Sequence, residues 1–212
     1  GVAVSGNYAY VANQEAGLAF INVGHPTDPT FLRYLDTPGS AWSVAVSGSY
    51  AYVADLDGGL RVIDVSTPSS PKEVGFFDTP GESYDVAVSG NYAYIADWDG
   101  GLRVIDVSTP SSPVEVGFFE ILGPVQGVAV SGTHVYVANV TSMRVIDVSD
   151  LSSPAELGHH DTPGDTRGVT VAGEYVYVSE SDAGMEIFNA RHCPGYVPEC
   201  PAPRRPTGRR LP

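Results

Sequence analysis

The chain has 212 residues, 42% of them hydrophobic and 10% aromatic, with a formal net charge of −14. No apolar run approaches the roughly 18 residues that a membrane helix needs, so no transmembrane segment is expected. The charge is uneven: residues 1–190 hold 24 acids and 6 bases, whereas the last 22 residues hold 5 Arg and 1 Glu. An acidic body repels phosphate backbones, which argues against nucleic acid as a partner.

The chain opens at Gly1, inside a repeat and without an initiator Met or a signal peptide, which fits a fragment or a processed product. Val-Ala-Val-Ser-Gly stands at Val2–Gly6, Val44–Gly48, Val86–Gly90 and Val128–Gly132, and its variant Val-Thr-Val-Ala-Gly at Val169–Gly173. The offsets are 42, 42, 42 and 41 residues. The short step arises where Asp99-Gly100-Gly101-Leu102 becomes Thr141-Ser142-Met143. Self-similarity at this period signals a propeller, a solenoid or an array.

Each complete copy contains four β-prone runs. In the third copy they are Tyr84–Val88, Tyr92–Ala96, Leu102–Val107 and Val114–Phe119. Ser89-Gly90-Asn91 supplies a tight hairpin, because Gly and Asn tolerate positive φ. Asp97–Gly101 and Ser108–Pro113 supply the second and third turns. Pro113 at the start of the fourth run marks an edge strand, since Pro cannot donate to a ladder. Four antiparallel strands per unit make a propeller blade, and a lone blade cannot cover both of its faces, so blades must stack.

The expected fold class is therefore all-β: a β-propeller of four-stranded blades with a 42-residue repeat and about five blades, the last incomplete. The blades are 1–40, 41–82, 83–124, 125–165 and 166–190, followed by a Pro/Arg-rich tail or linker over 191–212. The fifth copy lacks the Glu-Val-Gly-Phe-Phe run. A strand from upstream of Gly1 would complete a five-bladed ring; otherwise the chain is an arc of a larger propeller. In the tail, Cys193 and Cys200 bound a short loop that would form a disulfide staple in an exported protein. The residues beyond Cys200 lack the apolar content for a core and are expected to be disordered.

The run Gly59-Leu60-Arg61-Val62-Ile63-Asp64-Val65-Ser66-Thr67-Pro68-Ser69-Ser70-Pro71 recurs at Gly101–Pro113, and more loosely at Ser142–Pro154 and Gly17–Pro29. With the order of the other runs, it resembles the LVIVD repeat family. That resemblance implies a β-propeller in exported or surface-attached bacterial and archaeal proteins, with no established catalytic residues. The first copy departs from the motif at Ala19 and Asn22, and the fifth at Glu186 and Asn189.

Comparing the copies with one another separates scaffold from specificity. Strand alternation puts the Ser-Gly-Asn and Ser-Thr-Pro turns on one face, where they barely change. The opposite, top face carries the lead into strand one and the turn after strand two, and both vary. Trp42, Tyr84, Gln126 and Arg167 occupy equivalent lead positions near the central mouth, and Trp98 lies in a variable turn. Aromatic and polar groups at a mouth suit recognition of a protein or carbohydrate ligand. The expected function is non-catalytic binding or scaffolding through Trp42, Tyr84, Trp98, Gln126 and Arg167, in an extracellular or cell-surface setting.

Other chemistry finds less support. Asp55-Leu56-Asp57-Gly58 and Asp97-Trp98-Asp99-Gly100 open like Ca²⁺ loops, but an EF-hand needs Glu at the twelfth position, where Ser66 and Ser108 stand. The five His residues show no metal-ligand spacing, so no metal or cofactor is expected. The alternative function is a glycoside hydrolase using carboxylates at the mouth, with Asp85, Asp165 and Glu82 as candidates. Arg61, Arg103, Arg144 and Asp64, Asp106, Asp147 recur with the scaffold and are assigned to bonds with turns or neighbouring blades.

Overall fold

The computed structural model describes residues 1–181 and 183–190, which form nineteen strands in five antiparallel sheets. Blade 1 contains β1 (Val2–Ser5), β2 (Tyr8–Ala12), β3 (Leu18–Asn22) and β4 (Thr30–Leu35). Blade 2 contains β5 (Ser43–Ser47), β6 (Tyr50–Ala54), β7 (Leu60–Asp64) and β8 (Lys72–Phe77). Blade 3 contains β9 (Asp85–Ser89), β10 (Tyr92–Ala96), β11 (Leu102–Asp106) and β12 (Val114–Phe119). Blade 4 contains β13 (Val125–Ser131), β14 (His134–Asn139), β15 (Ser142–Asp147) and β16 (Ala155–Asp161). Blade 5 has three strands: β17 (Thr166–Ala172), β18 (Tyr175–Glu180) and β19 (Gly184–Asn189). The chain is thus a five-blade propeller with an incomplete last blade, as the repeat predicts. Cys193 and Cys200, with the rest of the tail, lie outside the described residues.

Each sheet is a meander in chain order. The innermost strands β1, β5, β9, β13 and β17 neighbour one another in sequence around the axis. Small residues at their head make that approach feasible. A Cβ on Gly127 would sit 3.0 Å from the Cα of Gly168 in the next blade.

Blade-to-blade contact forms the core. Leu60, Val62 and Tyr52 of blade 2 pack on Val86, Ile95 and Ile105 of blade 3. The same positions recur between blades 1 and 2, 3 and 4, and 4 and 5. Each blade therefore has a leading face, built on its Tyr and its first and third β3-type residues. Each also has a trailing face, built on Val, Ile and Ala of its first three strands. Burying a side chain such as Leu60 contributes about 2 kcal/mol, so the four interfaces dominate stability.

The outermost strand contains a β-bulge in every four-stranded blade, at the shifts Phe20/Ile21, Val62/Ile63, Val104/Ile105 and Val145/Ile146. The extra residue (Leu32, Val74, Val116 or Leu157) packs against the core shared with the next blade. A bulge re-aims a side chain that strict alternation would send elsewhere.

Candidate functional site

The recurring scaffold polar groups explain how the top face is held. Asp55 is fully buried. It accepts from the Thr37 hydroxyl at 2.5 Å and from the Gly39 N–H at 2.8 Å. In the next blade Asp97 accepts from the Gly81 N–H at 2.9 Å and the Ser83 hydroxyl at 3.5 Å, while the Thr79 and Ser83 hydroxyls lie 2.9 Å apart. Each Asp thus ties its own turn to the Asp-Thr-Pro-Gly segment arriving from the previous blade. Gly81 is required because a Cβ there would run into the Asp97 carbonyl. Burial pushes the Asp55 and Asp97 carboxyls above the ordinary value, against the pull of these donors and of Arg61 and Arg103.

Arg61 and Arg103 reach those acids at 3.8 and 3.6 Å and also lie 3.6 Å from Glu73 and Glu115 on the outer strand. Their guanidinium groups cover the Phe76 and Phe118 rings. The strand Arg therefore bonds to a turn and an outer strand of its own blade. Asp64, Asp106 and Asp147 instead accept the N–H of Ser66, Ser108 and Ser149 in the opposite turns. This is the scaffold role assigned to them from sequence.

Blade 4 shows the same joint with its polarity reversed. Its incoming segment is Ile121-Leu122-Gly123-Pro124, with Ile121 where the other segments have Thr, and Asn139 replaces the Asp. The Asn139 amide donates to the carbonyls of Leu122, Gly123 and Pro124 at 3.0–3.2 Å. Where the shortened turn of blade 4 faces blade 5, a cleft of 420 Å³ opens, lined by Thr141, Thr162, Gly164, Asp165 and Ala183 among others.

The variable turn has an unusual backbone. Gln14, Leu56 and Trp98, at equivalent positions, have φ of 50°, 46° and 46°. A bulky residue in the left-handed region is disfavoured by about 1 kcal/mol or more. Two backbone bonds from the next blade pin each one: Gln14 with Ala41, Leu56 with Ser83, and Trp98 with Val125. The Trp98 side chain lies against Tyr84, the lead residue of its own blade.

The five residues named from sequence fall into two adjoining groups on this face. Trp42 and Tyr84 have ring centroids 5.5 Å apart, and Tyr84 stacks on Trp98 at 4.5 Å with 22° between planes. Arg167 donates to the Gln126 side-chain oxygen at 3.1 Å and lies 3.5 Å from Asp165. The Tyr84 hydroxyl is pushed up by burial and by Glu82 and drawn down by Arg167, so the cation lies within electrostatic reach of the aromatic group. Trp42 and Arg167 are exposed and the other three partly so. Sequence reading missed Leu122, 94% exposed on the same face, where the other connections have Pro.

Two of the three proposed acids are engaged. Asp85 accepts the Ser43 hydroxyl at 2.5 Å and the Val86 and Val128 N–H groups at 2.9 Å, linking blades 2, 3 and 4 at the axis. Burial raises its carboxyl above the ordinary value. Asp165 pairs with Arg167, and Glu82 is exposed on the rim. Among the described residues no group of three or more His, Cys, Asp and Glu could hold a metal ion, and no helix is long and apolar enough to cross a membrane.

The family model for the LVIVD repeat matches five consecutive segments, residues 1–37, 38–79, 80–120, 122–162 and 163–188. No curated protein matches the chain. Among solved structures, a functionally unknown protein from Desulfotomaculum acetoxidans is similar at 15% identity with a TM-score of 0.72, covering 89% of this chain and 64% of that one. The periplasmic gluconolactonase of Pseudomonas aeruginosa is similar at 17% identity and TM-score 0.73, covering 87% and 63%. The computationally designed Ika8 protein is similar at 14% and 0.67, covering 89% and 57%. At such identities the likeness is one of fold, and this chain spans less than two thirds of each of the three.

Proposed function

Because the chain belongs to the LVIVD repeat family and folds as a propeller, we propose that it is a non-catalytic binding or scaffolding module. Its top face would recognise a protein or glycan through Trp42, Tyr84, Trp98, Gln126 and Arg167. The observation that carries this reading is the placement of Trp98. Its backbone conformation favours glycine, yet the position holds the largest side chain available and stacks it on Tyr84. A scaffold with no use for the side chain would gain from a smaller residue there. The reading includes an extracellular or cell-surface setting for the module, which membership of the LVIVD repeat family supports.

The glycoside hydrolase reading is weaker on the same geometry. It needs a pair of carboxyl groups flanking a sugar, one of them able to hand over a proton. Asp85 has both oxygens committed to three donors, and Asp165 is held by Arg167.

The protein reports on its own site. Its only two tryptophans are Trp42 and Trp98, so tryptophan fluorescence, excited selectively over tyrosine, follows the proposed surface. Defined glycan and peptide arrays would supply ligands for fluorescence titration. Trp42→Ala with Tyr84→Ala should weaken a hit by about tenfold or more, as loss of aromatic anchors does, with the melting temperature nearly unchanged. Affinity that survives both substitutions removes this surface from consideration. Oligosaccharide turnover lost in Asp85→Asn would favour the hydrolase instead.

A further inference from the structure

The aromatic group at the mouth stands among charges of one sign. Arg167 is the only cationic side chain in the described top-face leads and turns, and Asp165 matches its charge at 3.5 Å. Carboxylates, by contrast, surround the rings. The antiparallel bridges Gln14–Ala41 and Leu56–Ser83 set Glu15 and Asp57 alongside Ser40 and Glu82, in the leads to Trp42 and Tyr84. Two acids, Asp57 and Glu82, thus occupy neighbouring positions. Glu82 also acts electrostatically on the Tyr84 hydroxyl, and Asp99 directly follows Trp98.

Glu15, Asp57, Glu82 and Asp99 are all exposed. None of their carboxylates takes part in a hydrogen bond or ion pair among the described residues. The recurring acids of the scaffold differ in this respect. Asp55 and Asp97 hold the incoming segments, and Asp64, Asp106 and Asp147 close the lower turns. The charge at the mouth has no such duty and is available to a ligand.

The rings themselves favour a ligand of the opposite sign. Trp42 is exposed and inclined at 60° to Tyr84, which is backed by Trp98. An aromatic face carries negative potential and attracts guanidinium and ammonium groups. The fold already uses this chemistry: Arg61 and Arg103 lie 4.9 and 5.0 Å from the centroids of the Phe76 and Phe118 rings. Among the described residues no Arg or Lys lies over the three rings at the mouth. A neutral glycan would use the ring faces and leave the carboxylates idle, and an anionic ligand would be repelled by them.

We propose that the top face docks a basic segment of a partner protein, whose Arg or Lys side chains lie on the Trp42 and Tyr84 rings and pair with Asp57, Glu82 and Asp99. This rests on the binding reading above and narrows it to one class of ligand.

Capped octapeptides of alternating Gly-Arg, Gly-Lys, Gly-Glu and Gly-Ser, with neutral chito- and cello-oligosaccharides, serve as probes in isothermal titration calorimetry. The Gly-Arg and Gly-Lys peptides should bind, more weakly as salt is raised, and the other probes should not. Affinity for Gly-Arg should fall about tenfold or more in Trp42→Leu with Tyr84→Leu, which keeps apolar volume but removes the ring faces. It should fall about threefold in Asp57→Asn with Glu82→Gln. Asp28→Asn with Glu174→Gln removes the same charge from the lower turns and should change nothing. Equal losses in the two charge pairs would reveal diffuse attraction to an acidic body and overturn the proposal, as would silence of both basic peptides. A glycan or Gly-Ser peptide that binds, and weakens with the ring substitutions, overturns this proposal while the binding reading stands. Binding of any probe that survives the ring substitutions sinks both. Unchanged melting shows that the variants fold; if the ring pair unfolds, Trp42→Leu alone, at an exposed position, replaces it.

Discussion

The two rims of this propeller are made by different kinds of chemistry. On the lower rim, Asn22, Asp64, Asp106 and Asp147 each accept an N–H two residues away. These closures are local and exposed, and they need nothing from the neighbouring blade. On the upper rim, Asp55, Asp97, Asn139 and Glu180 bond to segments 14 to 18 residues away that arrive from the previous blade. Those joints are buried and inter-blade. The lower rim can repeat a short motif unchanged, whereas the upper rim must be matched in pairs, and its outermost side chains are released from that duty.

The contrast is broken most severely at Asn139. Asn139→Asp would set a carboxylate against three carbonyl oxygens in a buried site, and about 3 kcal/mol of stability should be lost at neutral pH. Much of it should return in acid, as the protonated carboxyl regains a donor; urea unfolding at two pH values measures both. Asp97→Ala follows. It leaves the Gly81 N–H without its acceptor and removes one of the two carboxylates beside Arg103, a loss of about 2 kcal/mol by the same assay. Asp106→Ala should have the smallest effect of the three, because water replaces the carboxylate at the Ser108 N–H.

The rims should also answer acid in opposite directions. Asp55 and Asp97 have carboxyls raised by burial, so the folded chain takes up their protons before the unfolded chain does. Lowering the pH through their folded values stabilises the fold. Asp64, Asp106 and Asp147 are held below the ordinary carboxylate value by their turn serines. Their contribution is present above the unfolded value and is lost as pH falls through the folded one. Melting temperature should therefore rise from neutral into mildly acidic pH and fall below the ordinary carboxylate range. In Asp55→Asn with Asp97→Asn the rise should shrink; an unchanged profile would show that the buried upper-rim acids do not set it.

Much of the architecture was legible because the repeat is dense. The runs read at Tyr92–Ala96 and Val114–Phe119 are strands with those limits, Leu102–Val107 ends one residue earlier at Asp106, and Tyr84–Val88 is shifted by one residue to Asp85–Ser89. Local signals sufficed for the hairpins. The lead positions could be aligned because Trp42, Tyr84, Gln126 and Arg167 stand at fixed distances from the Val-Ala-Val motif. Their pairing was not legible. That Arg167 bonds Gln126 depends on how strands from different copies meet at the axis, and that Tyr84 stacks on Trp98 depends on how the lead and the turn of one blade come together. The partners of Arg103 were hidden for the same reason: Asp97 and Glu115 flank it in sequence, but only the folded blade brings them to its guanidinium. The positive φ of Trp98 was concealed because its turn offers two glycines nearby as more obvious holders of such a conformation.

The bulged outer strands have a further consequence. β4, β8, β12 and β16 each follow a proline, Pro29, Pro71, Pro113 or Pro154, and each breaks register once. A long flat edge recruits foreign strands and seeds fibrils, and these two devices blunt it. The devices work together: a strand that opens on a proline has one donor fewer to offer, and the register shift turns what remains away from a straight ladder, so the blade rims should resist edge-to-edge association in a concentrated or heated sample.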